Sequence, residues 1–567
     1  MPHRQQPVEK GSSDLHTDHE KNKIDTQDIL QWVSWRHILL LILFILACRI
    51  AYLTISPYEL VADESHYWEW SCRPALSYYT KGPGVAWTIA ASTHLLGDSE
   101  WAIRVPSAVC GAITMLVLAS LSTTCAGDIR AGFFAVLIYL LTPICFGVNQ
   151  FMTIDGPYIA CWALSIWSAW HVFRSLSLGR SAVGAWFILA VFLGVGFLYK
   201  YTILLLVPGL VLYAIIHRRR YRWGYPLQAQ LCHLAVFFAV LLVCISPVLI
   251  WNHLHGWPTL KHLLGHLHMA GGDITPRRSW SYQPMWTIEM ILGQLGALGP
   301  PVIALVLLSL RRLWQARKDS ADQWMAVQFM LCCGLPVLLF YFLLSFITDV
   351  EANWPLAGYL SFFVVVAIAA PGELQRYRVL VITWLACENR PRPRAGYFRR
   401  RPETAWQIAW HWTIGWGLVA CLFIMTAPLL RYVPGLENTR GLTRVTGHRE
   451  WAGKVQQVIL HLSSQTGTQP LVIADQYGNA SLLAYYLPDR PSRVFSAASL
   501  LGGRVSAYDY FPDTDLNSQE LTGRTAVLVG SNMVKWRSAL AFDRITLFDS
   551  SNQLFTATGY GGVKQSD

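Results

Sequence analysis

Two carboxylates and a lysine stand close together in one polar stretch of an otherwise apolar chain. The stretch Glu59–Trp87 reads ELVADESHYWEWSCRPALSYYTKGPGVAW and follows the first long apolar segment. It holds Asp63, a candidate catalytic base, and Glu64 and Lys81, which are candidates for substrate binding. An acidic pair beside a lipid-embedded helix is costly unless it faces water, a cation or a reacting group. Because a carboxylate can take a proton and a lysine can stabilise developing negative charge, the stretch is a candidate active site. The alternative is a solvated polar loop.

Three further charged residues stand at the ends of apolar segments. Asp155 precedes Gly-Pro, Lys200 lies between two tyrosines, and Glu351 begins the run Glu-Ala-Asn-Trp-Pro. Each has a structural alternative. Asp155 could cap the next helix, Lys200 could be an interfacial anchor, and Glu351 could end a loop beside an aromatic anchor.

A polar loop, Trp251–Gln283, adds histidines and arginines. Five histidines lie in it: His253, His255, His262, His266 and His268. His262 and His266 are four residues apart on one helix face and could bind a metal, with solvated interfacial histidines as the alternative. Arg277 and Arg278 could face an anionic group or could be surface charges. Tyr79 could contact substrate or belong to an interfacial aromatic belt.

Composition places these residues in a membrane protein. Of the 567 residues 53% are hydrophobic and 14% charged, and the apolar residues come in blocks of membrane-spanning length. Only helices satisfy their own backbone polar groups in lipid, so the fold class is a polytopic α-helical membrane protein. The net charge of +11 does not indicate nucleic acid, because the arginines lie in short loops between apolar blocks. The isolated cysteines are expected to act as small apolar residues.

Eleven transmembrane helices are predicted between residues 36 and 431, after a polar segment 1–35 that we expect to be a disordered cytoplasmic N-terminus. The predicted spans are, approximately, 37–55, 103–123, 133–148, 158–173, 183–198, 202–216, 233–250, 286–310, 325–347, 355–370 and 406–429. The apolar piece Val85–Leu96 is short for a crossing and could lie along the interface.

The parity of these spans places the chemistry on one side of the membrane. Five arginine-containing loops fall on one face, which the positive-inside rule makes cytoplasmic. The loops that hold Asp63, Asp155, Lys200, Glu351 and the histidines all fall on the other face. The sequence therefore predicts one extracytoplasmic active site.

The tail, residues 432–567, is predicted to be a small extracytoplasmic α/β domain. Leu471–Asp475 and Thr525–Gly530 read as short buried strands. NASLLAYYL between them predicts a helix, and ITLFDSSNQLFTAT predicts a hairpin-like end. The tail contains no phosphate-binding glycine motif and no cysteine.

Taken jointly, the loops resemble a known family. VADESHYWEWS…LSYYTKGPGVAWTIA is similar to the first-loop signature of the GT-C polyprenyl-phosphate-sugar transferases, which include protein O-mannosyltransferases and lipid A aminoarabinose transferases. FMTIDGPYIACW, GFLYKYTILLLVPG, WNHLHGW and EANWPLAGY resemble its later motifs in the right order. LVIADQYGNASLLAYYLP and AYDYF resemble its soluble tail.

The resemblance implies a GT-C-like fold and an inverting transfer from a polyprenyl-phosphate-linked sugar at the outer face of the cytoplasmic membrane. It implies that Asp63 is the base, that Lys81 and Lys200 face the donor phosphate, and that Asp155 and Glu351 bind or orient substrate. Some members bind a divalent ion in this region, which suggests a metal near Glu64, His253 and His255. This chain departs from the pattern at Thr80, directly before Lys81, and in the run Lys-Gly-Pro-Gly that begins with Lys81.

Several functional hypotheses stay open at this point. The acceptor could be a lipid A-type glycolipid, a cell-surface glycan or a protein. The alternative function is a transporter or flippase of lipid-linked sugars, which charged residues in mid-span and paired broken helices would favour. A scaffold without catalytic activity is a third hypothesis, in which substitution of Asp63 has no effect.

Overall fold

The structure is a computed structural model that describes residues 33–219, 227–266, 271–273, 282–387, 404–437 and 439–564. Helices make up almost all of it up to residue 437. The first ten are α1 (Trp35–Ile55), α2 (Ala62–Ser71), α3 (Gly84–Leu96), α4 (Glu100–Ala126), α5 (Ile129–Leu141), α6 (Pro143–Val148), α7 (Asp155–Ser177), α8 (Val183–Tyr199), α9 (Leu206–Ile216) and α10 (Leu227–Leu254). The next six are α11 (Pro258–His266), α12 (Pro284–Leu298), α13 (Pro300–Gln315), α14 (Ala321–Leu344), α15 (Leu356–Cys387) and α16 (Ala405–Thr426).

Local sequence signals set the helix ends where two of these helices meet. The Ser99 side chain accepts a hydrogen bond from the backbone N–H of Ala102 and so caps the start of α4. Helix α4 ends at Gly127, whose φ of 68° is a left-handed conformation that glycine adopts without strain. Asp128 then caps α5 through the backbone N–H of Arg130. Gly127 and Asp128 therefore make the turn between the second and third predicted spans.

The apolar helices form a multi-pass membrane protein. Six helices are long and apolar enough to cross a membrane, and a bent pair passes the same test when its two helices are taken together. Three shorter apolar helices, 129–141, 183–199 and 201–216, accompany them in the described ranges. Every predicted span is met by a helix or by two successive helices, whereas the count of eleven crossings stays a prediction.

Two predicted spans differ from the structure. The span predicted at 286–310 is not one helix: α12 and α13 meet at an angle of 87°. Gly299 between them has φ 84° and Pro300 follows, so the backbone cannot continue an α-helix there. The span predicted to end at Ala370 continues to Cys387 as α15, because Pro371 falls inside the helix without ending it.

The C-terminal part of the chain carries a five-stranded mixed sheet. Its strands are β1 (Leu471–Ala474), β2 (Val494–Ser496), β3 (Ala526–Val529), β4 (Leu540–Asp549) and β5 (Leu554–Val563), in the order β2-β1-β3-β5-β4. Strand β1 pairs parallel with β2 and β3, and β5 pairs antiparallel with β3 and β4. Its helices are α17 (Arg440–Thr443), α18 (His448–Thr466), α19 (Tyr477–Tyr486) and α20 (Met533–Ala539). The two predicted strands, the helix between them and the terminal hairpin are confirmed.

Side chains of the first polar stretch and of the tail share one hydrophobic core. Trp68, Trp70 and Tyr78 from the stretch pack in the same cluster as Val455 of α18 and Leu483 of α19. A second cluster fills the space between the membrane helices, and a third lies on the other side of the sheet. Because burial of apolar surface is the main source of stability, the shared core fixes the tail against α2.

Candidate active site

Helix α2 is anchored by a buried ion pair. Arg104 of α4 donates from Nε to Oε1 of Glu64 at 2.8 Å and from Nη2 to Oε2 at 2.6 Å. Glu64 also accepts from the backbone N–H groups of Met152, at 2.8 Å, and Val61, at 3.2 Å. Both side chains are buried. This bidentate pair joins α2 to α4 and to the segment that leads into α7.

The expected roles of Glu64 in substrate or metal binding do not fit these contacts. Its two carboxylate oxygens already accept four hydrogen bonds from the protein. A ligand would have to displace Arg104 and leave a buried guanidinium without its partner, which is costly. We therefore assign Glu64 to positioning α2 and its neighbour in the sequence.

That neighbour, Asp63, faces the open space in front of the helix. Its side chain is exposed to solvent, and its carboxylate accepts no hydrogen bond from the described part of the chain. Protein nevertheless surrounds the group on most sides, and this partial burial raises the pKa of Asp63 while the Lys81 charge opposes the rise. A carboxylate at the bottom of a recess has both properties, and a raised pKa makes it a better proton acceptor.

A charged pair faces Asp63 from the start of α7. The Nζ of Lys200, just after α8, donates to Oδ1 of Asp155 at 2.9 Å. The second oxygen, Oδ2, accepts from Nδ2 of Asn353 at 2.6 Å. Both side chains of the ion pair are largely buried. Asp155 is therefore held from two sides, by the end of α8 and by the loop before α15.

Lys81 is a cation without a carboxylate partner in the described ranges. Backbone contacts hold its loop, since its carbonyl accepts from the N–H of Tyr78 at 3.1 Å and from the hydroxyl of Ser77 at 3.2 Å. Burial, and then the nearby charge of Lys200, lowers the pKa of Lys81, while the charges of Asp155 and Asp63 oppose that change. The Lys81 ammonium is thus placed to receive an anion.

A close approach of backbones brings the two lysines together. A Cβ on Gly82 would lie 2.3 Å from the carbonyl oxygen of Leu198, near the end of α8. A side chain at residue 82 would therefore push the loop away from α8 and from Lys200. Gly82, the first glycine of the run Lys-Gly-Pro-Gly, makes this close contact possible.

Glu351 stands at the edge of the same group. Its side chain is exposed, and its negative charge is near enough to contribute to the raised pKa of Asp63, after burial and the other charges. The backbone carbonyl of Glu351 accepts from the N–H of Trp354 at 3.0 Å, which shapes the loop that presents Asn353. The structure thus brings together five predicted site residues: Asp63, Lys81, Asp155, Lys200 and Glu351.

Tyr79 lies beside this group in a second set of contacts. Its hydroxyl donates to Asp273, which also pairs with Nδ1 of His262 at 2.9 Å. Burial alone would raise the pKa of Asp273, but the hydrogen bonds with Tyr79 and His262 outweigh it and lower the pKa. The Tyr79 ring stacks on Tyr510 of the tail with ring centres 5.3 Å apart. Tyr79 therefore joins the first polar stretch to the loop after α11 and to the tail.

The histidines proposed as metal ligands have other contacts. His255 stacks on Trp251 with ring centres 4.2 Å apart, and its Nδ1 lies 2.8 Å from the Trp251 carbonyl oxygen. His253 is exposed near Trp257. The described residues contain no group of three or more histidine, cysteine or acidic side chains arranged to hold a metal ion. With Glu64 committed to Arg104, the residues present do not fit a metal at Glu64, His253 and His255. His268, Arg277 and Arg278 lie outside the described residues.

The tail covers the other side of α2 through polar contacts. Arg73 donates to Asp513 at 2.8 Å and to Glu69 at 2.9 Å, and Glu69 also accepts from the hydroxyl of Tyr508. Burial raises the pKa of Glu69 to about 7, although the Arg73 charge opposes the rise. Burial also lowers the pKa of His66 to about 3, which keeps this imidazole neutral as it accepts from Trp70.

The N-terminal end of α19 lies directly over the start of α2. A Cβ on Gly478 would lie 2.9 Å from the Cβ of Ala62. Burial, and then the charge of Asp63, raises the pKa of Tyr477, which places this tail residue close to the Asp63 carboxylate. The tail therefore covers the recess that contains Asp63.

Sequence reasoning missed four residues that support the site: Arg104, Asn353, Asp273 and Tyr510. Arg104 carries a sequence signal, because an arginine inside an apolar block must find a buried partner. Asn353 lies two residues after Glu351 in a motif that was singled out. Tyr510 lies in the tail motif AYDYF, which also carries the resemblance, whereas Asp273 carries no signal beyond its polarity.

Comparisons with known proteins show what the chain is similar to. A family model described as dolichyl-phosphate-mannose-protein mannosyltransferase matches residues 80–251, which include Lys81, Asp155 and Lys200. The solved structure of ArnT from Cupriavidus metallidurans bound to undecaprenyl phosphate aligns with a TM-score of 0.57 at 15% identity, over 94% of this chain and 100% of that chain. The chain therefore has the fold of that protein, and the resemblance to GT-C polyprenyl-phosphate-sugar glycosyltransferases is supported.

Two curated relatives are similar over part of their length. The lipid A galacturonosyltransferase RgtD of Rhizobium johnstonii is 24% identical over 58% of this chain and 64% of its own length. The undecaprenyl phosphate-alpha-4-amino-4-deoxy-L-arabinose arabinosyl transferase of Aeromonas hydrophila is 28% identical over 47% of this chain and 46% of its own length. The chain thus matches less than two thirds of either relative.

Proposed function

We propose that the protein is an integral-membrane inverting glycosyltransferase. It moves a sugar from a polyprenyl-phosphate donor to a hydroxyl of a lipid A-type glycolipid at the extracytoplasmic face of the inner membrane. The single observation that carries this proposal is a difference among four neighbouring charged residues, Asp63, Lys81, Asp155 and Lys200. Asp155 and Lys200 neutralise each other, whereas Asp63 and Lys81 have no ion-pair partner in the part of the chain that the structure describes.

Asp63 acts as the general base in this proposal. Its carboxylate accepts the proton of the acceptor hydroxyl as the hydroxyl oxygen forms a bond to the anomeric carbon of the donor sugar. The raised pKa of Asp63 favours this transfer, because a more basic carboxylate binds the proton more tightly. A single displacement inverts the configuration at the anomeric carbon, and no second carboxylate has to act as nucleophile.

Lys81 stabilises the leaving group. When the bond between the anomeric carbon and the phosphate oxygen breaks, its electron pair stays on the polyprenyl phosphate. The Lys81 ammonium can pair with this phosphate without giving up another partner, and Lys200, held by Asp155, adds positive charge nearby. Arrangements that are fixed before the reaction stabilise developing charge without reorganisation.

The donor and acceptor classes are supported by the relatives. RgtD is named for galacturonosyl transfer to lipid A, and the Aeromonas protein is named for transfer of an aminoarabinose carried on undecaprenyl phosphate. Donor chemistry is the better supported of the two, because Lys81, Asp155 and Lys200 lie inside the region that matches the mannosyltransferase family model. A protein acceptor and a cell-surface glycan are the outcomes that the experiment below distinguishes.

The proposal includes a topology. Eleven crossings would put the arginine-rich loops in the cytoplasm, and Asp63, Asp155, Lys200 and Glu351 outside together with the tail domain, residues 432–567. Six described helices and one bent pair have the length and composition of crossings, and three shorter apolar helices bring the number to ten. Helix α7 (Asp155–Ser177) supplies the eleventh crossing in this scheme.

Mass spectrometry of the envelope tests the proposed function. Lipid A and glycoproteins are extracted from a deletion strain that carries the wild-type gene, the Asp63→Asn variant or the Asp489→Asn variant. Asp489 is an exposed tail residue with a positive φ that asparagine also tolerates. We expect a sugar mass on lipid A with wild type and Asp489→Asn, and its loss with Asp63→Asn at equal protein levels. A sugar-bearing lipid A in the Asp63→Asn strain would overturn the proposal, as would a change confined to glycoproteins or to the transport of unmodified lipid-linked sugar.

A further inference from the structure

We propose that a cleft between the first polar stretch and the tail is a saccharide subsite that holds the sugar portion of the acceptor. The inference rests on the proposed function and names a second part of the same site. The cleft has a volume of about 390 Å³ and lies between Arg73–Tyr79, the end of α10 and the tail segment Ala507–Asp513. This volume is in the range of small-molecule sites, about 300–1,000 Å³.

Aromatic rings form the walls of the cleft. Tyr79 and Tyr510 stack at 5.3 Å with an angle of 20° between their planes, and Trp251 and His255 stack at 4.2 Å with an angle of 18°. The ring centres of Trp251 and Tyr510 are 6.0 Å apart, so the two stacked pairs lie side by side. Tyr79 and Trp251 are buried, whereas Tyr510 is half-buried and His255 is exposed, so these two rings have a face free for a ligand. The C–H bonds on the face of a pyranose ring pack well on such rings, whose faces carry partial negative charge.

Charged groups at the rim are fixed in position. Arg73 binds both carboxylate oxygens of Asp513 through three hydrogen bonds of 2.8–3.1 Å, and it stacks over Phe511 at 4.8 Å. The Asp513 side chain is 49% exposed, so its oxygens retain lone pairs for sugar hydroxyls. The hydroxyl of Tyr510 has no hydrogen-bond partner in the part of the chain that the structure covers. Polar groups that are held before binding reduce its entropic cost.

Tyr79 connects the cleft to the reaction centre. It lies two residues before Lys81, and its hydroxyl donates to Asp273, which pairs with His262. Burial and then the charge of Lys81 lower the pKa of His262, although Asp273 opposes the change, so His262 lies near Lys81. A sugar in the cleft would therefore lie on the far side of Tyr79 from the donor phosphate. This arrangement gives the acceptor and the donor adjoining subsites, and the part of the acceptor outside the cleft extends past Tyr79 to bring its reacting hydroxyl to Asp63.

A saccharide fits the cleft better than a peptide does. The tail wall consists of two short 3₁₀ turns, Ala507–Tyr510 and Pro512–Thr514, and not of a strand edge. Proteins that bind an extended peptide offer it a row of unpaired backbone groups at a strand edge, and these turns present no such row. The stacked rings and the Arg73–Asp513 pair instead offer ring faces and hydroxyl partners.

Saturation-transfer NMR with full-length protein in nanodiscs tests the subsite, using the unacylated glucosamine disaccharide of lipid A as the probe. We expect binding to wild type and to Asp63→Asn, and a dissociation constant about 2- to 10-fold higher for Tyr510→Ala. Phe548→Ala is the matched control, because Phe548 is an exposed aromatic residue on β4, at the opposite edge of the sheet from β2.

The outcomes separate this inference from the proposed function. No binding to wild type, equal binding to Tyr510→Ala, or displacement of the probe by a serine-rich peptide would overturn the subsite. If the disaccharide binds in the expected pattern while Asp63→Asn still modifies lipid A, the subsite stands and the proposed catalytic role of Asp63 fails. Loss of modification in Asp63→Asn with no effect of Tyr510→Ala on binding would give the reverse result.

Discussion

Lys200 donates a hydrogen bond to Asp155 across 2.9 Å, and this pair decides which lysine is available to a ligand. With its charge neutralised by Asp155, Lys200 has less to gain from a phosphate than Lys81 has. Asn353 completes the arrangement by holding the second oxygen of Asp155 at 2.6 Å. Among the residues that the structure describes, this cluster therefore contains one fixed pair, Asp155 and Lys200, and one free cation, Lys81, opposite the Asp63 carboxylate.

Asn353→Ala should lower kcat/KM about 10-fold, because it removes a hydrogen bond to a charged carboxylate worth about 1.5–3 kcal/mol. Asn353→Asp should be worse, since it places a second negative charge against Asp155 and competes for Lys200. Sugar-transfer kinetics in proteoliposomes measure both variants. Asn517→Ala is the control, because Asn517 also donates to an aspartate, at 3.1 Å, but in an exposed turn of the tail. Equal rates for Asn353→Asp and wild type would contradict the assignment.

Removing Arg104 should destabilise the fold and not only slow the reaction. Arg104→Ala leaves the buried Glu64 carboxylate without its ion-pair partner, a loss of about 3–5 kcal/mol in free energy of unfolding. The double variant Glu64→Gln with Arg104→Met should recover part of that loss, because neither buried charge remains. Thermal unfolding of the purified variants provides the measurement. If Glu64 bound substrate instead, Glu64→Gln would be inactive and Arg104→Ala would unfold at the wild-type temperature.

Gly82→Ala should reduce transfer strongly with a smaller effect on thermal stability. The added methyl group would lie 2.3 Å from the Leu198 carbonyl oxygen, so the Lys81 loop must move away from Lys200. A displacement of about 1 Å in a positioned group can cost about 100-fold in rate. Gly184→Ala in α8 is the control, because no described atom outside its own helix and its chain neighbours lies within 4 Å of a Cβ at that residue. Equal activity of the two alanine variants would show that the close approach does not position Lys81.

The pH profile of kcat/KM should be bell-shaped, with both limbs displaced inward. Asp63 must be ionised to act as a base, and its pKa is raised, so activity should fall as pH drops through a value above that of an ordinary aspartate. Lys81 must be protonated, and its pKa is lowered, so activity should fall as pH rises through a value below that of an ordinary lysine. Lys81→Arg should retain activity and move the alkaline limb upward, because arginine stays charged. An alkaline limb that does not move would assign it to another group.

The sequence predicted the helices and strands of the fold better than the bends and contacts between them. Spans and strands follow from hydropathy, and the strands around Val472 and Val527 lie where the short apolar runs indicated. The sharp bend between α12 and α13 depends on the φ of Gly299, which a hydropathy pattern does not contain. The 27-residue α4 could be predicted, but not that its Arg104 would reach Glu64 across 40 positions of sequence.

The sequence predicted which residues of the candidate site lie near each other, but not which contacts each of them makes. Motif order and parity predicted that Asp63, Asp155 and Lys200 lie close together, and the structure places them so. Their membership of one extracytoplasmic active site stays a prediction. The sequence could not separate Asp63 from Glu64, because adjacent helical residues point about 100° apart and only the packing of α2 decides which of them faces the recess. The tail contacts of Tyr510 and Tyr508 likewise depend on tertiary packing alone.

Labelling from outside the cell tests most directly the claim that these groups meet in one extracytoplasmic pocket. Asp63→Cys and Glu351→Cys are made singly in a background in which the exposed native Cys48, Cys72 and Cys232 are replaced by serine. Intact spheroplasts are treated with a membrane-impermeant maleimide, and a cysteine introduced at Arg180 in the predicted cytoplasmic loop serves as the control. We predict that residues 63 and 351 are labelled and that residue 180 is labelled only after lysis. Labelling of residues 63 and 351 from opposite sides of the membrane would contradict the account.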